Sequence, residues 1–108
     1  AVSNGRRIIT AIEQSGLMGI NVLGEEDARL MKPFTQRDND SPFTRLELDE
    51  NEHAIPQLSD ALAFLACRIT GKIEGGDHTI YAAEVIDGIL NDPSCQPMVR
   101  IRKNGFQY

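Results

Sequence analysis

Residues 73–85 read IEGGDHTIYAAEV, which puts Gly76, Asp77 and His78 between two β-like runs. The types are chemically suggestive. A histidine titrates close to neutrality, so it can donate a proton, accept one, or carry charge beside a ligand. Two readings share the same residues. In one, the stretch is a turn: Gly75 and Gly76 supply positive φ and Asp77 tolerates the bend. In the other, the turn aims His78 at a ligand. Neighbours along a strand point to opposite faces. A direct Asp77–His78 relay is therefore not expected, and a partner for His78 must come from elsewhere in the fold.

Other constellations are absent. The sequence has no GxGxxG, no GxxxxGK[ST] and no GxSxG, so the usual phosphate loops and the nucleophile elbow are missing. His53 and His78 are far apart and lack acidic partners at ligand spacing, so no metal site is expected. Glu25, Glu26 and Asp27 cluster where a helix would start, and the helix dipole accounts for them. The two cysteines, Cys67 and Cys95, form no CxxC pair. Cys67 sits in the apolar run ALAFLACRI and reads as a small buried hydrophobe. No disulfide framework is visible, and a reducing cytoplasm fits.

The elements that must position these residues fit one domain of 108 residues. So short a chain buries a modest share of its surface, and pairing with a second subunit would help it. Hydrophobic residues make up 41% and charged residues 25%, an ordinary globular balance. A net charge of −5 argues against a binder of nucleic-acid phosphates. Arg6 with Arg7, and Arg100 with Arg102 and Lys103, are small basic clusters that read as solvated surface. No apolar stretch is long enough to span a membrane and no signal peptide is visible. The chain lacks an initiator Met and opens inside an apolar phrase, so further residues are expected ahead of residue 1 in the natural gene.

Periodicity predicts a short helix over 3–16, capped by Ser3 or Asn4 and ended by Ser15 and Gly16. A buried strand follows over 17–23. A second helix is predicted over 24–34, closed by Pro33. Residues 35–42 read as a loop, 43–53 as a weak strand and acidic turn, and 54–73 as a long strand ending in β-branched residues. Strong alternation marks a strand over 78–90, and 91–97 reads as a loop. Asn104 and Gly105 signal a tight turn between short strand segments over 98–108. The sum is mainly β and antiparallel with two short helices, as in a barrel or sandwich.

Four phrases in order resemble one family. They are SGLMGINVLGEEDARLMKPF (15–34), IPQLSDALAFLACRITGKIEGGDHTIYAAEV (55–85), the strand over 80–85 after the GDH triplet, and PMVRIRKNGFQY (97–108). Pro56, Leu58, Ala61, Ala63 and Cys67 match a P-x-L-x-x-A-x-A-x-x-x-C strand. Together the phrases resemble the flavin reductase family of FMN-binding split barrels and cover nearly the whole chain.

The resemblance implies an antiparallel split β-barrel that works as a homodimer. It implies FMN or FAD bound at the subunit interface, NADH or NADPH as reductant, and a monooxygenase as possible recipient of the reduced flavin. Carried over by position, His78 lies near flavin and nicotinamide, with Gly76 and Asp77 shaping its loop. Phe34, Phe106 and Tyr108 are further carry-overs, and a core anchor or surface aromatics are the plainer readings of them. This chain departs from the family pattern in three places. The strands and Ser/Thr-rich loop that hold the flavin phosphate would precede residue 1. Arg6, Arg7 and Ile8 stand where the family often has a hydroxyl residue, and either guanidinium suits a phosphate. Ala83 replaces a frequent glycine. Two alternatives to a reductase follow: a flavin-binding or oligomerising module without turnover, and a barrel that acts through protein contacts alone.

Overall fold

The structure is a computed structural model and describes residues 1–36 and 40–101. Its centre is a four-stranded antiparallel sheet in the order β1-β6-β5-β2. The strands are β1 (Val2–Ser3), β2 (Leu17–Val22), β5 (Ala63–Gly75) and β6 (His78–Leu90). A separate pair, β3 (Leu48–Asp49) and β4 (Gln57–Leu58), lies between β2 and β5 in sequence. The helices are α1 (Arg7–Ser15) and the one-turn α2 (Lys32–Thr35). The architecture is thus mainly β, antiparallel, with two short helices. No helix among the described residues is long and apolar enough to cross a membrane.

The core gathers where β2, β5 and the chain before β4 meet. Ile55, Phe64 and Ala66 are buried there, with Leu17 and Ile86 packed against them. Gly19 is required at this point. A Cβ on it would stand 2.5 Å from Ile55 Cγ2 and 3.0 Å from Phe64 Cε2. Asn21 stitches the same corner, donating to the Pro56 carbonyl at 3.1 Å and accepting from the Leu58 N–H at 2.8 Å.

Only the root of the β5–β6 hairpin is in this core. Phe64, Ala66 and Cys67 are buried, whereas the strand is exposed from Lys72 to Gly75. Thirteen residues of strand reach at most about 40 Å, and a two-stranded ribbon is marginal alone in water. The distal half is held from one side by α1 and β1. Tyr81 Oη donates to Glu13 Oε1 at 2.7 Å, and Lys72 Nζ reaches the same oxygen at 3.1 Å. That shared bonding holds the Glu13 carboxyl below its ordinary range, the Tyr81 hydrogen bond first and Lys72 second.

Several expectations are corrected. The first helix starts at Arg7, and neither Ser3 nor Asn4 caps it; Ser3 is in β1, and the Arg6 cap makes no side-chain bond. The second predicted helix breaks into a 3-10 turn at Ala28–Met31 and then α2. Pro33 does not close a helix but sits in the first turn of α2, where its missing N–H costs nothing. Likewise Pro42 opens a 3-10 turn at Pro42–Arg45, and only Leu48–Asp49 of the weak strand forms. The strand expected over 54–73 divides into β4 and β5, because Ala61 N–H closes a turn onto the Leu58 carbonyl. Of the closing segment, Pro97 makes one isolated bridge to Gly24. The Asn104 and Gly105 turn lies outside the described residues.

Candidate functional site

The β5–β6 hairpin turns in two residues, Gly76 and Asp77, between the paired Gly75 and His78. Gly76 alone carries the positive φ, +67°, and Gly75 does not. Glycine first in a two-residue loop is the residue order of a type II′ hairpin, whose twist suits the flanking strands.

At this turn Asp77 Oδ1 lies 2.8 Å from His78 Nδ1. The sequence argument disfavoured that pair because strand neighbours diverge. Asp77 is in the turn, not the strand, so alternation does not apply to it. The imidazole hydrogen bond, followed by its charge, holds the Asp77 carboxyl below its ordinary value. An ionised carboxylate only accepts hydrogen bonds. With that carboxylate ionised, Nδ1 is the donor, and Nε2 makes no hydrogen bond among the described residues.

Strand pairing places His78 on a distinct face. Thr79 and Tyr81 point towards β1 and α1, since they bond Asn4 and Glu13. His78 and Ile80 alternate with them and take the other side. Ile73 is paired with Ile80 and Gly75 with His78. Ile73 and Ile80 are 67% and 49% exposed. The surface beside the imidazole is thus apolar and open, and a Cβ on Gly71 would meet nothing within 4 Å. A planar aromatic ring with a polar edge fits such a face: apolar side chains to lie on, and one imidazole nitrogen at the side.

The other expected site residues are dispersed. Arg6 and Arg7 lead into α1, and neither forms an ion pair with a described residue. β1 brings the chain just ahead of them to the turn, because Ser3 pairs with His78. Phe34 is in α2, where it meets Phe43 edge-on at 5.3 Å between ring centres. Tyr108 and Phe106 lie outside the described residues.

Sequence reasoning missed three features. Asn4, read as a cap, bonds the hairpin turn instead. His53, read as lacking acidic partners, has its Nε2 3.4 Å from Glu52 Oε1 and 3.6 Å from Asp87 Oδ2. These are ion-pair distances, and Nε2 itself is buried without a hydrogen bond. The three groups could hold a cation, although both carboxylates are exposed. Third, α1, β2 and residues 53–56 border a half-open pocket of about 320 Å³ lined by Ile8, Ile12, Leu17, Phe43, His53 and Pro56, among others. It shares no lining residue with the 76–79 turn.

The model of the flavin reductase like domain matches residues 1–106. The chain belongs to that family. Among curated proteins, it is 38% identical over 77 residues to the reductase component of a 4-nitrophenol 4-monooxygenase/4-nitrocatechol 2-monooxygenase from Rhodococcus opacus, covering 71% of this chain and 40% of that protein. It is 36% identical over 70 residues to HsaB, the reductase subunit of a flavin-dependent monooxygenase from Rhodococcus jostii, covering 65% of this chain and 35% of the other. The fold matches the NADH:FAD oxidoreductase SgcE6 of Streptomyces globisporus, solved with NAD and FAD fragments. The TM-score is 0.81 at 23% identity, over 96% of this chain and 67% of that one. The flavin reductase fold expected from sequence is therefore present, while the chain spans about two fifths of the first of these relatives.

Proposed function

We propose that residues 1–108 belong to the domain of an NAD(P)H-dependent flavin reductase that uses FMN or FAD in the cytoplasm. In this reading the protein is a homodimer with flavin at the subunit interface, and it hands reduced flavin to a monooxygenase. The observation that carries it is His78 fixed by Asp77 beside an open apolar strip, in a chain of the flavin reductase family. The names of the Rhodococcus relatives support the oxygenase partner.

A bound flavin would supply the hydride chemistry, and the protein supplies binding, orientation and electrostatics. Ile73 and Ile80 offer the ring a dry surface. His78 Nε2 donates a hydrogen bond when the ring is protonated and accepts one when it is neutral. Asp77 holds the imidazole by its hydrogen bond to Nδ1. Gly76 lets the turn close tightly enough to bring the two side chains together. Arg6 and Arg7 supply guanidinium groups for a phosphate, while Phe34 and Tyr108 remain aromatic candidates for the rim. No step calls for a protein nucleophile.

The test is NAD(P)H oxidation by the full-length protein with FMN or FAD added. Turnover of roughly 1–1000 per second supports the reading. Tight flavin binding with no oxidation of either nucleotide would select the non-catalytic module instead.

A further inference from the structure

We infer that Asn4 is a positioning residue for His78: it clamps the 76–79 turn from behind and thereby sets where the imidazole stands. The inference rests on the reading of His78 given above. Asn4 makes three bonds to this turn across more than seventy residues of sequence. Its backbone N–H donates to the Asp77 carbonyl at 2.8 Å. Its Nδ2 donates to the Gly76 carbonyl at 3.0 Å. Its Oδ1 accepts from Thr79 Oγ1 at 2.8 Å. Residues 76, 77 and 79 are thus all bound from the β1 side. His78, between them, is left to project from the opposite face.

Only a side chain with a donor and an acceptor on one short stem makes both side-chain bonds. Alanine makes neither. Aspartate keeps the acceptor but turns a carboxylate oxygen towards the Gly76 carbonyl. Capping does not explain Asn4, since α1 begins at Arg7 without a side-chain cap. Thr79 is 6% exposed, so loss of Asn4 leaves a buried hydroxyl without its acceptor. Asn4 also stands just ahead of Arg6 and Arg7. One residue therefore couples the segment offering charge to a phosphate with the turn offering the imidazole.

The experiment compares full-length wild type, Asn4→Ala, Thr79→Ser, His78→Ala and the Asn4→Ala/His78→Ala double variant. Flavin Kd, kcat, KM for the nucleotide, thermal unfolding and the His78 ring resonances are recorded, with His53 as internal control. Asn4→Ala is expected to shift the His78 resonances and leave those of His53. It should lower kcat by about tenfold or more, as small misplacements do. Thr79→Ser, which keeps the hydroxyl, should stay within about twofold of wild type in both. In the His78→Ala background, Asn4→Ala should add less than about twofold. If Asn4→Ala does not fold, Asn4→Asp carries the same comparisons. Unmoved His78 resonances, or a full additional loss in the double variant, would overturn the role of Asn4 and leave that of His78 standing. Wild-type turnover in His78→Ala would remove the reading of His78 and the inference with it.

Discussion

Asp77 Oδ1 and His78 Nδ1 lie 2.8 Å apart across a single peptide bond, at the mouth of a hairpin. The pair makes the Asp77 carboxyl more acidic than its ordinary 3.8. The folded value is below the unfolded one. The pair's contribution to stability is therefore complete above the ordinary value and is lost as pH falls through the depressed one. A carbon-13 titration of Asp77 is expected to show a midpoint below 3.8 in wild type and a return towards it in His78→Ala. An unchanged midpoint in the variant would separate the two groups.

The two adjacent glycines should respond differently to the same substitution. Gly76 has φ +67°, a conformation that costs an L-residue about 1–2 kcal/mol. Gly75 has ordinary φ, and a Cβ there meets only the His78 carbonyl at 3.7 Å. Gly76→Ala is expected to destabilise by about 1 kcal/mol, and Gly75→Ala by about 0.5 kcal/mol or less. Chemical denaturation of both variants checks the contrast.

Gly19→Ala tests the core. Its methyl would enter the space of Ile55 and Phe64, with the Pro56 carbonyl 3.4 Å away. Overpacking of this kind costs about 1–3 kcal/mol. Equilibrium unfolding should show that loss, and Gly19→Ala should cost less in an Ile55→Ala background, which removes the Cγ2 it would meet.

The Tyr81–Glu13 bond predicts an alkaline signature. Glu13 raises the Tyr81 pKa above its ordinary 10.0 by accepting its hydrogen bond. The bond's contribution is present below the ordinary phenol value and disappears as pH rises through the raised one. Phenolate absorbance should show a late phase that is missing in Tyr81→Phe and moves earlier in Glu13→Gln.

Legibility followed the range of the interactions. Alternation over 78–90 is local and delivered β6 with its bounds intact. The run over 17–23 did nearly the same for β2. Pro33 misled, because a proline starts a short helical turn as readily as it ends a helix. The turn that carries His78 was legible from its triplet, but the Asp77 carboxylate beside its Nδ1 was not. Strand alternation was extended one residue too far, into the turn that holds Asp77. Asn4 and the Asp87 partner of His53 were out of reach for a different reason. Asn4 works on residues over seventy positions away, and Asp87 comes to His53 from β6, more than thirty positions on. No spacing rule carries such contacts.

The most direct test of the account is anaerobic rapid mixing of the flavin-loaded full-length protein with NADH and with NADPH, for wild type and His78→Ala. The account predicts that wild type bleaches the flavin with at least one nucleotide, and that His78→Ala does so about tenfold or more slowly at saturating flavin. Equal rates in the two proteins would contradict the role given to His78. Absence of bleaching in wild type with either nucleotide would contradict the reductase itself.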